Sequence, residues 1–133
     1  MSPLTDKEIE LIRADWKAVV PIAAIAASLF YENLFMLDPH LRVMFRPDMR
    51  EQKQKLVAML TLIVEKLDDD AWLKPVLERL GHRHKRYGVR PEHYGPVGAA
   101  LIATLREGIG PSFDEAHEAA WGNAYHLLAE RMQ

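Results

Sequence analysis

Apolar residues recur in this chain at three- and four-residue spacings from end to end, and no run alternates apolar and polar residues over the length of a strand. A period near that of the α-helix, with one greasy face per segment, leaves an all-helical fold as the reading. Punctuation divides the pattern. Thr5 followed by Glu8 makes a capping box ahead of Ile9, Leu11, Ile12, Trp16, Val19 and Val20, which predicts a helix over 5–20. Pro21 suits the start of a second helix, 21–37, in which Ala24, Ala27, Tyr31, Leu34 and Phe35 share a side.

Asp38-Pro39 has the pattern of an N-cap and first helical position, opening a short turn that ends at Phe45. A long helix over 49–67 carries Gln52, Leu56, Met59, Leu60, Ile63 and Leu67 on one face. In the next, 71–87, Leu73, Val76, Leu77 and Leu80 form a stripe whose next member is His84, while His82 projects off it. Gly88 and Pro91 separate this helix from one over 91–109, with Tyr94, Val97, Leu101 and Leu105 inward. Gly110-Pro111 ends that segment, and Ser112 with Glu115 predicts a capping box for a last helix over 112–132, packed through Phe113, Trp121, Ala124 and Leu128.

With 133 residues, no repeat and no low-complexity linker, residues 1–133 read as one domain. The absence of cysteine excludes disulfides, thiolate catalysis and cysteine-held metal, and it suits a cytoplasmic setting. A net charge of -2 gives no reason to expect nucleic acid. The apolar run Ala18–Tyr31 is broken by Pro21 and Ser28 and falls short of the ~20 residues of a membrane-spanning helix. Asp68-Asp69-Asp70 reads as a capping turn. The basic cluster Arg79, Arg83, Lys85 and Arg86 has two readings: offsetting the dipole of its helix end, or holding an anionic group at a pocket rim.

Three inward faces thus carry a polar tip each: Tyr31, Gln52 and His84. Each alone has an ordinary explanation as a hydrogen-bonded core group. Together they fit no common catalytic constellation, since the chain has no H-E-x-x-H, no G-x-S-x-G and no phosphate-cradling glycine motif. One histidine cannot cage a bare ion. It can anchor an iron whose other equatorial positions are filled by a macrocycle.

The stretches FYENLF (30–35), DPHLRVMF (38–45), QKQKL (52–56), RHKRYGVRPEHY (83–94) and AWGNAY (120–125), with the inward histidine 32 residues after the glutamine, resemble the bacterial single-domain globins and the globin domain of flavohaemoglobins. The resemblance covers nearly the whole chain and implies a globin fold around haem b, protoporphyrin IX iron. By that likeness His84 is the proximal iron ligand and Phe45 the phenylalanine wedged against the haem. Tyr31, Gln52 and Leu56 match the distal set. Lys55 either pairs with a haem propionate or is a solvated surface lysine. Leu80, Tyr87, Val89, Tyr94, Val97 and Trp121 would complete the lining.

Two departures go with the likeness. No flavin or nicotinamide fingerprint follows the last helix, so electrons would have to come from a separate reductase. The glutamate that helps orient the proximal histidine in flavohaemoglobins would fall beyond Gln133. The resemblance implies tight, slowly reversible dioxygen binding through hydrogen bonds from Tyr31 and Gln52, with carbon monoxide gaining less. The alternative is a nitric oxide dioxygenase, for detoxification, fed by an external reductase, and a haem-free interaction module is the third reading.

Overall fold

The computed structural model describes residues 3–133. Among them stand six α-helices: α1 Asp6–Val19, α2 Ala23–Leu37, α3 Arg50–Glu65, α4 Asp70–Arg86, α5 Tyr94–Ile109 and α6 Glu115–Met132, with tight 3-10 turns at Val20–Ile22, Pro39–Met44 and Pro91–His93. The all-helical reading of the sequence holds.

Local chemistry explains the boundaries. The Thr5 hydroxyl accepts from the Glu8 amide at 3.1 Å and the Glu8 carboxylate accepts from the Thr5 amide at 2.9 Å, so two of the orphan donors at the start of α1 are satisfied. Asp69 caps α4 by accepting from the Trp72 amide. The start of α6 differs from the sequence expectation. Asp114, not Ser112, is its N-cap, accepting from the amides of Ala116 and His117. Pro91 opens a 3-10 turn ahead of α5 instead of the helix itself. Ala24 is exposed, whereas Ala26, Ala27, Phe30, Tyr31 and Leu34 form the buried face of α2.

Because α1 passes into α2 through the turn at Pro21 with no intervening loop, Asp6–Leu37 as a whole is long and apolar enough to cross a membrane, contrary to the estimate from Ala18–Tyr31 alone. Ile12, Trp16 and Val19 of α1 and the buried face of α2 instead enter one protein core. Its most deeply buried large side chains are Ile12, Leu34, Leu73 and Leu77, each at 1% exposure or less. Each such burial stabilises by roughly 1.5–3 kcal/mol.

The principal seams run between α2 and α5, α4 and α6, α1 and α6, and α2 and α3. The α4–α6 seam and the lesser α5–α6 seam are closed by glycine. A Cβ on Gly81 of α4 would stand 1.9 Å from the Met132 carbonyl oxygen of α6, and one on Gly98 of α5 would stand 2.6 Å from the Tyr125 ring. Only glycine allows those helices to lie so close.

Candidate functional site

Helix α2 delivers Tyr31 and the first turn of α3 delivers Gln52, and the two meet: Gln52 Nε2 donates to Tyr31 Oη at 3.0 Å. Tyr31 is 4% exposed. Aromatic rings enclose it, with Phe30 edge-on at 5.0 Å, Phe45 edge-on at 5.4 Å and Phe35 tilted at 6.0 Å between centroids. Burial raises the Tyr31 pKa above its ordinary value, and the Gln52 hydrogen bond opposes that only in part. At neutral pH the phenol is therefore a protonated donor, and its oxygen already accepts from the amide.

Phe45 is set by its loop. Arg42 donates to the carbonyls of Phe45, Arg46 and Pro47, and its guanidinium lies 5.4 Å from the Phe35 ring centroid. Phe35 and Arg42 were not singled out from the sequence as site residues; Phe35 sits four positions after Tyr31, a spacing that signals the same face.

His84 is half-buried and His82 exposed, as the stripe predicts in direction though not in degree. His84 Nδ1 lies 2.8 Å from the Leu80 carbonyl oxygen. A carbonyl only accepts, so this bond puts the proton of a neutral imidazole on Nδ1 and leaves the lone pair on Nε2. The end of α4 is secured behind it by bonds from the Tyr87, Gly88 and Val89 amides to the carbonyls of residues 83–85. Gly88 takes φ 93°, as the helix stop predicts.

The remaining candidates fall in different places. Leu56 and Val97 are partly buried against the core, and Leu80, Val89 and Tyr94 are half-buried. Lys55 is exposed and pairs with Glu51 at 3.2 Å. Tyr87 is 75% exposed. Tyr94 offers its carbonyl to the Tyr125 hydroxyl at 2.5 Å, and burial raises both phenol pKa values. Trp121 lies in the seam of α6 with α1: its indole donates to Asp15 Oδ2 at 2.9 Å, and its ring is 6.3 Å from Trp16. His117 Nδ1 reaches both Asp15 oxygens at 2.7 and 2.8 Å. That buried carboxylate was not foreseen, because its partners lie more than 100 positions away.

An apolar cavity of about 30 Å³ is walled by Ala27, Phe30, Leu56, Val57, Leu101 and Leu105 among others. Ala27 and Leu56 each stand one helical turn from Tyr31 and Gln52. Among the described residues no group of three or more His, Cys, Asp or Glu side chains could hold a metal ion. The donor set is instead one imidazole nitrogen, with a phenol–amide pair elsewhere in the core.

The fold defines an all-α class, with six helices among the described residues packed around one core. The globin family model matches residues 28–132, and the chain belongs to the globin family. It is 35% identical over 126 residues to a flavohemoprotein of Bordetella parapertussis, covering 90% of this chain and 31% of that protein. The chain therefore spans about a third of the length of the flavohemoproteins it matches. It is 27% identical over 146 residues to the neuroglobin of Tetraodon nigroviridis, covering 99% of this chain and 92% of that one. Among solved structures, the engineered carbene transferase RmaNOD from Rhodothermus marinus superposes with a TM-score of 0.84 at 28% identity, covering 96% of this chain and 89% of the other. The family implies a haem cofactor and the binding of small gases.

Proposed function

We propose that the protein binds dioxygen tightly and reversibly at haem b, with His84 as the proximal ligand and Tyr31 and Gln52 on the distal side. The residues fit the group by their chemistry. His84 has one nitrogen engaged with Leu80 and the other carrying a lone pair, which is what a single axial ligand requires. Bound haem would supply an iron able to hold a small gas, on which a bound dioxygen would be a hydrogen-bond acceptor. Phe45 and Leu56 would exclude water from around that gas, and Leu80 and Val97 would wall the other side.

The observation that carries this reading is the 3.0 Å bond from Gln52 to the Tyr31 oxygen. By occupying the phenol's acceptor side, the amide turns the hydroxyl proton outward, and burial keeps that proton in place. A hydrogen bond to a charged acceptor is worth about 1.5–3 kcal/mol, and each 1.4 kcal/mol is about ten-fold in affinity. Donation from Tyr31 therefore favours dioxygen over carbon monoxide. Stopped-flow release is the test: Tyr31→Phe should speed oxygen loss by about ten-fold or more. An unchanged rate removes the phenol from the reading.

A second reading is nitric oxide dioxygenation, in which nitric oxide, dioxygen and one electron from a separate reductase give nitrate. It is favoured by the similarity to RmaNOD, itself assigned provisionally as a nitric oxide dioxygenase, and to flavohemoproteins. Nitric oxide consumption with an added reductase, no faster than that of an ordinary oxygen-storing globin, would dismiss it. A cytoplasmic location accords with the cysteine-free composition.

A further inference from the structure

Among the described residues, four of the ten arginines sit in ion pairs and six do not. Arg13, Arg50, Arg106 and Arg131 each face a carboxylate: Asp68, Asp48, Glu118 and Asp70 respectively. Arg79, Arg83 and Arg86 make no ion pair among the described residues, and all three are exposed. They sit at i, i+4 and i+7 of α4 and form one stripe. Like charges at these spacings repel by roughly 0.2–0.5 kcal/mol per pair. The helix dipole compensates only within the last turn, which holds Arg83 and Arg86 but not Arg79.

The direction of the stripe rules out service to the site itself. At roughly 100° per residue, the three guanidinium stems cluster about 120° away from the face of Leu73, Leu77, Leu80 and His84. They look outward from the helix that carries the imidazole. On the shoulder between the two faces stands Tyr87, 75% exposed, and Arg90 follows, also exposed. Residues 79–90 hold five of the seventeen basic residues and none of the nineteen acidic ones, so the other residues together carry seven more acids than bases. The segment is thus a local concentration of positive charge on a chain of net charge -2, and such a patch draws an acidic macromolecule toward itself.

From this we infer that the outward face of α4 formed by Arg79, Arg83 and Arg86, with Tyr87 and Arg90 beside it, is the docking surface for an acidic electron-donating flavoprotein. The partner's electron-donating role rests on the haem reading above; the docking itself rests on charge and exposure alone. An exposed aromatic ringed by arginines has the composition of an interface anchor. A protein seated there would lie about one helix diameter, ~10–12 Å, from the site side of α4. Were haem bound, such a donor would supply it with one electron at a time from its reduced flavin, and no bond between heavy atoms would form or break.

The test uses the haem-loaded full chain and a flavodoxin, a small acidic flavoprotein, as probe. Binding followed by calorimetry and reduction followed by absorbance should both weaken about ten-fold or more as salt rises from about 20 to 200 mM. The triple variant R79E/R83E/R86E should lower both at least about ten-fold at low salt, while its spectrum and its reduction by dithionite stay as in the parent. K7E/K17E/K74E changes the net charge equally at exposed positions elsewhere and should stay within about two-fold. Equal losses in the two variants, or none in the first, overturn the surface. Arginine-dependent binding to a DNA duplex or to phosphatidylserine vesicles, with none to flavodoxin, overturns the protein partner. A chain that takes up no haem defeats the previous section's reading, and the binding titration still decides this one.

Discussion

Gly81 and Met132 touch backbone to backbone, leaving no room for even a methyl group: a Cβ on Gly81 would lie 1.9 Å from the Met132 carbonyl oxygen. The last turn of α6 is thereby pressed on α4 three residues ahead of His84. Gly81→Ala must displace one helix or the other, and overpacking of this kind costs about 1–3 kcal/mol. The expected outcome is a lower urea midpoint together with a shifted absorption band of the haem-loaded protein, because His84 moves with its helix. Gly122→Ala, in the interior of α6 with open space around it, should instead stabilise by up to about 1 kcal/mol through helix propensity. A Gly81 variant as stable as its parent, with an unshifted band, would contradict the close approach.

Gln52 acts on the proposed gas site through Tyr31, because its amide already donates to the phenol. Gln52→Leu should speed oxygen release by several-fold, less than Tyr31→Phe does. The double variant should release oxygen about as fast as Tyr31→Phe alone, a coupling a double-mutant cycle reads directly. Strictly additive effects would mean that the two side chains donate independently and that the amide does not orient the phenol.

How far the sequence foretold this structure depends on the range of the interactions involved. The helices were legible because each boundary is set by neighbours a few positions apart, as with Thr5 and Glu8 or Gly88. Tyr31 and Gln52 were readable as inward for the same reason, and the shell then brings them together across 21 positions. The Asp15 cluster was hidden: nothing near Asp15 in the chain announces that a carboxylate in an exposed-looking helix will be buried by His117 and Trp121. Trp121 itself, expected in the haem lining by likeness, is held in that α1–α6 seam by its bond to Asp15. Asp114 displaced Ser112 as a cap because Ser112 lies inside the turn that the Phe113 amide closes on the Gly110 carbonyl, and the helix begins only after it.

Asp15 is 5% exposed and gathers an indole N–H and an imidazole between α1 and α6. Asp15→Ala strands both partners, and each unsatisfied buried polar group costs about 1–3 kcal/mol. Stability in urea should fall by about 2–4 kcal/mol on that basis, while Asp15→Asn, which keeps one acceptor oxygen, should lose less. Because this seam is built on α1 and α6, oxygen release from the folded protein should be unchanged. A loss below about 0.5 kcal/mol for Asp15→Ala would show that water reaches the site and replaces the carboxylate.

Tyr31, Tyr94 and Tyr125 all have their pKa raised in the folded protein, chiefly by burial, which penalises the phenolate. In the unfolded chain these phenols titrate near about 10. Above that pH the unfolded state loses phenolic protons that the folded state still holds, so stability must fall with rising pH; below it both states are protonated and there is no such dependence. The expected record is a urea midpoint insensitive to these groups from about pH 7 to 9 and falling steeply beyond about pH 10. Tyr125→Phe, although less stable at every pH for want of its bond to the Tyr94 carbonyl, should show a shallower alkaline decline. Oxygen release should likewise hold constant up to about pH 10, since the Tyr31 proton is retained. A release rate that rises already between about pH 8 and 9 would mean that the phenol ionises there, and that burial does not protect it.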